Sequence, residues 1–410
     1  MKHASSLAAL VVVVVALVSA CPKPAGTVDA GMKPVAHNGD AGPLTPPGSK
    51  RPPYPNMATP AWGQHILDER LAKVPSEGPA ASQKTVLDEL HDLSPGSEQH
   101  AAELAAQWYK NATKNSDKGE AVALLGVALV LDPTVEGYKD RLTDAVGLAH
   151  YAGGLDSSSS LSQAARVVIG ASAGMVPNAK ALLDVVETTP GLGTEPRYFM
   201  ALGQKLTGGK LDSVLDDAEK ALAARPTSMR VHSLLAELYL DTGLYPETIK
   251  ACGSEDDAHP WLAAVRGRAL VLDGKVDDGI ALLKKVQDKV DEGRRGDVLY
   301  WLARSLTQKE GADAEVQTIA STLEARPGYA KEAAVLNALL AQKAGDYKKA
   351  RGLVEKIVRG PPNLPVDIDA TWLLVDACGG DGDVLCVDRA GARAVSADGD
   401  YARLNLARAA

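Results

Sequence analysis

Several groups of residues in this chain have types and spacings that could do chemistry. Gly170-Ala171-Ser172-Ala173-Gly174 fits G-x-S-x-G, in which a serine held on a strand-to-helix turn attacks a carbonyl. That chemistry needs a downstream acid and base, and His232 and His259 are the available imidazoles. Gly203-x4-Gly208-Gly209-Lys210 has the glycines of a phosphate loop, but its lysine is displaced and Leu211 stands where a Ser or Thr would hold magnesium. Asp381-Gly382-Asp383 and Asp398-Gly399-Asp400 open like calcium loops, yet neither is followed by the ligand spacing and closing glutamate. Glu255-Asp256-Asp257 before His259-Pro260 reads as a loop and helix start, because carboxylates favour a helix N-terminus. No metal and no cofactor is expected.

The elements around these residues decide what they can do. A nucleophilic elbow needs a parallel sheet, and a phosphate loop follows a strand. From Ala61 onward, apolar residues recur at helical spacing between short turns, and almost nothing alternates with period two. Leu161 to Ile169 reads as an Ala-rich helix ending at Gly170, and Val176-Pro177-Asn178 starts the next with proline in its first turn. Ser172 and Lys210 are therefore expected in turns between helices, and the chain is expected to be all-α. Aromatic residues make up only 4% of it, with a single Phe, so the core must be assembled from Ala, Leu and Val. A net charge of -8 without a basic stripe argues against nucleic acid as a partner.

The helices repeat. The clearest unit runs Ala338-x2-Ala341-x3-Gly345-x-Tyr347-x2-Ala350-x3-Val354-x2-Ile357-x4-Pro362. It is similar to the tetratricopeptide repeat, in which a small residue lets two helices approach, Gly ends the first and Pro stops the second. The frame recurs at Ala236, Tyr239, Gly243 and Tyr245, and at Gly267, Leu270, Gly274 and Ile280. The unit ending at Pro327 keeps Ala303, Leu306 and Ile319 in register but has Glu310 where Gly is expected. Second helices alone match at Ala121, Leu125, Ala128 and Pro133, and at Ala218, Ala221 and Pro226. Turn positions 243, 274, 310 and 345 lie 31, 36 and 35 residues apart, so loop lengths vary about the family's period.

The resemblance implies a right-handed α-solenoid of TPR-like helix hairpins over residues 61–410, with a concave groove as its binding face. In the family frame the first helices present Arg230, Ser233 and Glu237, then Trp261 and Arg268, then Tyr300, Arg304 and Thr307 to that groove. Arg268 and Arg304 fall at equivalent positions of successive repeats. Two guanidinium groups beside Tyr300 and Trp261 suit an acidic or C-terminal peptide. Solvated surface charge balancing Glu237 and Asp297 is the plainer reading of the same residues.

The N-terminus carries a second resemblance. Met1-Lys2-His3 precedes an unbroken apolar run from Leu7 to Val18 that ends Val18-Ser19-Ala20-Cys21. The run is short of the roughly 20 apolar residues that span a bilayer and suits a signal peptide. Val18-Ser19-Ala20-Cys21 resembles the bacterial lipobox, which implies a signal peptide over 1–20 and a lipid on Cys21. Ten of the 24 prolines then fall between Pro22 and Pro60. Residues 21–60 therefore read as a disordered tether reaching about 35 Å or more. Pro22 stands where lipoproteins retained in the inner membrane of enteric bacteria have Asp, so the same resemblance implies the outer membrane, facing the periplasm.

Cys378 and Cys386 flank a Gly- and Asp-rich turn, where an oxidising compartment permits a disulfide, while Cys252 is left as a buried thiol. The Cys378–Cys386 segment resembles a Cys-bearing helical repeat of exported tetratricopeptide relatives. The expected function is a lipid-anchored scaffold or assembly factor of the bacterial cell envelope, not an enzyme, binding a protein or peptide partner in its groove. The alternative is a periplasmic serine hydrolase using Ser172. Glycan binding would require an aromatic platform that the five Trp residues do not obviously form.

Overall fold

The computed structural model describes residues 50–75, 81–133, 135–190, 192–253, 259–358 and 365–397, with side chains in the last stretch for 369–392. Cys21, the expected signal segment, the expected tether up to residue 49, Glu255-Asp256-Asp257 and Asp398-Gly399-Asp400 lie outside the described residues.

Every described regular element is helical, with no strand among the described residues. In chain order the α-helices are α1 (Pro60–Leu71), α2 (Gln83–Leu90), α3 (Ser97–Asn111), α4 (Asn115–Ala128), α5 (Tyr138–Leu155), α6 (Ser160–Ser172) and α7 (Val176–Glu187). Then come α8 (Arg197–Thr207), α9 (Leu211–Ala224), α10 (Met229–Asp241), α11 (Tyr245–Ala251), α12 (Pro260–Leu272) and α13 (Val276–Val286). The series closes with α14 (Glu292–Leu306), α15 (Asp313–Glu324), α16 (Ala330–Lys343), α17 (Tyr347–Val354), α18 (Pro365–Gly380) and α19 (Val384–Ala397). Starts follow local chemistry. Side chains of Thr59, Ser82, Ser159, Ser228, Asp291 and Asp346 accept from free backbone N–H groups of the helices they precede. Pro60, Pro177, Pro246 and Pro260 occupy first turns, where a missing N–H is harmless.

One turn recurs. Gly174, Gly208, Gly243, Gly274, Gly311, Gly345 and Gly382 all have positive φ, and they follow one another at 34, 35, 31, 37, 34 and 37 residues. At six of these seven the next residue's N–H reaches back to a carbonyl five residues earlier, as from Lys275 to Leu270 at 2.9 Å and Asp346 to Ala341 at 2.8 Å. That bond pairs helix-end carbonyls that would otherwise be orphaned, and the left-handed residue it needs is most cheaply Gly. Glu310, placed at the turn by the family frame, is one residue early: Gly311 takes the left-handed position.

Consecutive helices pack as neighbours, and α4, α6 and α8, like α10, α12, α14, α16 and α18, also pack along a row of alternate helices. The core is built from Ala, Leu and Val, and the single Phe, Phe199, is fully buried. Small residues set the distances. Helix α1 crosses α5 where a Cβ on Gly63 would lie 2.0 Å from the Gly147 carbonyl oxygen. The last part of the expected tether is attached to this unit. Arg51 donates to both carboxylate oxygens of Asp144 in α5, at 3.3 and 3.2 Å, and Ala58 is buried. Arg51 and Ala58, ahead of Ala61, are thus part of the packed helical unit, where the buried Asp144 gains a cationic partner.

Candidate functional site

Three of the chemistry-like motifs are instances of the recurrent turn. Ser172 is the last residue of α6, ahead of the turn at Gly174. His232 is bonded to the carbonyls of Ala251 and Pro226, at 2.8 and 2.9 Å, and His259 caps α12 through Trp261 N. Gly208-Gly209-Lys210 joins α8 to α9, and Asp381-Gly382-Asp383 joins α18 to α19. Among the described residues no cluster of three His, Cys, Asp or Glu side chains is arranged to hold a metal. Across the last of these turns Cys378 and Cys386 form a disulfide, with Cα atoms 5.6 Å apart. Cys252 is free and buried, and burial pushes its thiol up to about 12.

The side chains that the repeat frame sends toward a groove do lie along the even-numbered row, and the chain itself engages most of them. Arg230, only 4% exposed at the start of α10, ion-pairs with Glu98 and reaches Ser97 Oγ at 3.4 Å. Its backbone N–H donates to the His91 carbonyl at 3.2 Å, and His91 Nδ1 pairs with Ser228 Oγ at 2.7 Å. Arg225, just before α10, bridges Asp88 at 2.7 Å and Glu195 at 3.0 Å. The corner between α2 and α3, more than 130 residues away in sequence, is thus bolted to the entry of α10. His91 stacks near Tyr198, with ring centroids 5.0 Å apart. Burial, then the charges of Arg225 and Arg230, hold its pKa down to about 3 against a smaller opposing pull from Asp88.

Glu237 accepts from Lys205 Nζ at 2.8 Å, Ser233 Oγ at 3.0 Å and Trp261 Nε1 at 3.2 Å. Burial alone would raise its pKa, but Lys205 and these donors outweigh it and hold the carboxyl below the usual range. Trp261, nearly buried on α12, begins a stack. Its ring lies 5.2 Å from that of Trp301 on α14, centroid to centroid. Arg294 sits over the Trp261 ring at 4.9 Å, and Arg268 over the Trp301 ring, also at 4.9 Å. Two cations thus stand over two neighbouring aromatic rings, each placed where the ring quadrupole attracts it.

Farther along the row, Tyr300 donates to Asp369 Oδ2 at 2.8 Å, and Arg304 Nε lies 3.7 Å from the same oxygen. The Arg304 side chain keeps 42% of its exposure. Thr307 turns back onto the Arg304 carbonyl at 2.7 Å. Burial raises the pKa of Asp297 against a Tyr329 hydrogen bond and the charges of Arg268 and Arg294. Beside the stack, Arg294, His259 and Lys289 share with Glu98, Asp132 and Arg141 a cavity of about 420 Å³.

Arg230 is therefore internal, Glu237 is engaged by the chain though a third exposed, Trp261 and Tyr300 are mostly covered, and Arg268 and Arg304 are part-exposed. Sequence reasoning did not find Trp301, Arg294 or Asp369. Trp301 stands 40 residues after Trp261, off the repeat period, so no frame pairs the two rings. No family model matches the chain, and no curated protein was found to resemble it.

Proposed function

We propose that this protein is a tetratricopeptide-like scaffold or assembly factor of the bacterial cell envelope, anchored through Cys21 and holding a partner protein on its even-numbered row. The observation that carries the reading is the recurrent left-handed glycine, seven times at spacings around 34 residues. It supports a right-handed solenoid of helix hairpins, a fold that stacks repeats to present one long binding face. The open part of that face is where Arg268 and Arg304 stand beside paired tryptophans. An acidic segment laid there would gain charge-assisted hydrogen bonds from both guanidinium groups.

Crosslinking in intact cells tests this reading. A photoreactive residue at Thr307 should capture an envelope protein, and the double change Arg268→Glu with Arg304→Glu should abolish that capture while leaving the helical content unchanged. Capture that persists in the double variant defeats the assignment of the face. Cys21→Ser should release the protein from membranes, and a variant that still pellets with them in high salt defeats the anchor.

A further inference from the structure

The helices α5, α6 and α7 enclose a cleft of about 430 Å³. Its walls are largely apolar: Val146 comes from α5, Ile169 from α6, and Leu182 and Val185 from α7, with Val185 left 49% exposed. At its edge stands Arg166 of α6, half-buried. Its guanidinium lies against the backbone of α5 at Gly153, where an added Cβ would come within 2.6 Å of Nη2. Gly153 thus makes the room that the guanidinium occupies.

Arg166 differs from five arginines that carry their own counter-charge. Arg51, Arg197, Arg225, Arg230 and Arg351 each close on a carboxylate, belonging to Asp144, Asp217, Glu195, Glu98 and Asp383 respectively. Among the described residues Arg166 has no such partner, and burial alone lowers its pKa. Its titratable neighbour is His150, whose own pKa is lowered by burial and then by the Arg166 charge, which favours the neutral imidazole. A cation half out of water, facing an apolar cleft and unopposed by an anion, is costly unless something supplies the missing charge.

We infer that the α5–α6–α7 cleft binds an alkyl carboxylate, with the carboxylate on Arg166 and the chain along Val146, Ile169, Leu182 and Val185. The walls choose the alkyl chain over a peptide. Apart from Arg166 and His150, Asn178 is the only polar side chain lining the cleft among the described residues, so the amides of a buried peptide would go unpaired. The volume lies at the lower end of ordinary ligand sites and suits a medium-length chain.

Titration of the full-length protein with sodium hexanoate, octanoate and decanoate, followed by calorimetry, tests the assignment. Affinity should rise about fourfold for each added methylene until the cleft is filled. Arg166→Gln should weaken octanoate at least tenfold, while Arg166→Lys should recover part of that loss. Val185→Glu, at an exposed wall position, should also weaken octanoate without changing thermal unfolding. Octan-1-ol, which lacks the charge, should bind at least tenfold more weakly than octanoate. Equal binding of octan-1-ol and octanoate, or octanoate binding unchanged in Arg166→Gln, overturns the site. A C-terminal tripeptide of leucine binding as tightly as octanoate overturns the alkyl assignment.

Discussion

The corner between α2 and α3 and the arginine–tryptophan stack between α12 and α14 lie against the same row of helices and use the same residue types to opposite ends. At the corner, charge is matched inside the chain: Arg230 meets Glu98, Arg225 meets Asp88 and Glu195, and His91 stays neutral against Ser228. At the stack, Arg268 and Arg294 rest on aromatic faces, and Arg294 also reaches Asp291 at 3.8 Å. The difference teaches where a row of polar side chains holds the fold and where it is left for something else. A buried pair whose removal strands a partner is structural. A cation lying on an aromatic face keeps part of its hydrogen-bonding capacity.

The largest effect separating the two regions is expected at Arg230. Arg230→Ala leaves Glu98 and Ser97 without their cation and should cost about 3–5 kcal/mol, read as a shift in the urea midpoint. A loss below about 1 kcal/mol would mean that the corner is not held by this pair. The next effect depends on pH. Unfolded, His91 gains a proton below about pH 6.5, whereas folded it does so only near pH 3. The folded state then binds fewer protons, so the stability His91 contributes is present above pH 6.5 and is lost as pH falls toward 3. Exchange of the Arg230 amide proton should therefore speed up between pH 7 and pH 5, relative to its intrinsic rate, and His91→Gln should flatten that change. Arg304→Ala should show the smallest stability effect, under about 1 kcal/mol, because an exposed ion pair contributes little. A larger loss would make the stack end of the row as structural as the corner.

Much of the fold was legible because a helix hairpin is a local object. Gly243, Gly274 and Gly345 mark turns that a short window of sequence can specify, since the left-handed residue and its backward hydrogen bond involve only a few neighbours. The same fact disarms the motifs that look chemical. Gly174, Gly208 and Gly382 are conspicuous glycines for the reason Gly274 is, and Ser172, Lys210 and Asp381 are near them because hairpin turns favour small and polar residues. Glu310 was misplaced by one residue because loop lengths vary, and only the backbone dihedral identifies Gly311.

The site was less legible. Arg230, Glu237, Trp261, Arg268, Tyr300 and Arg304 stand on α10, α12 and α14, three helices that pack in sequence, and the frame names those residues from helix periodicity alone. It carries no information on what stands opposite. Glu98 meets Arg230 from 132 residues away, Asp369 meets Tyr300 from 69, and Trp301 meets Trp261 at a spacing the repeat does not contain. Those pairings depend on how the helices between the elements pack, and such packing is set by contacts between distant residues, as where Gly63 meets Gly147.

By itself, then, the sequence determined the helices, the turns between them and the row on which each polar side chain falls, because propensity and periodicity act over a few residues. Only the tertiary structure decided that Arg230 is a bolt, that Arg268 lies on Trp301, and that Arg166 faces an apolar cleft without a carboxylate. Whether a charge is matched depends on partners distant in the chain, and burial then makes each match or mismatch count.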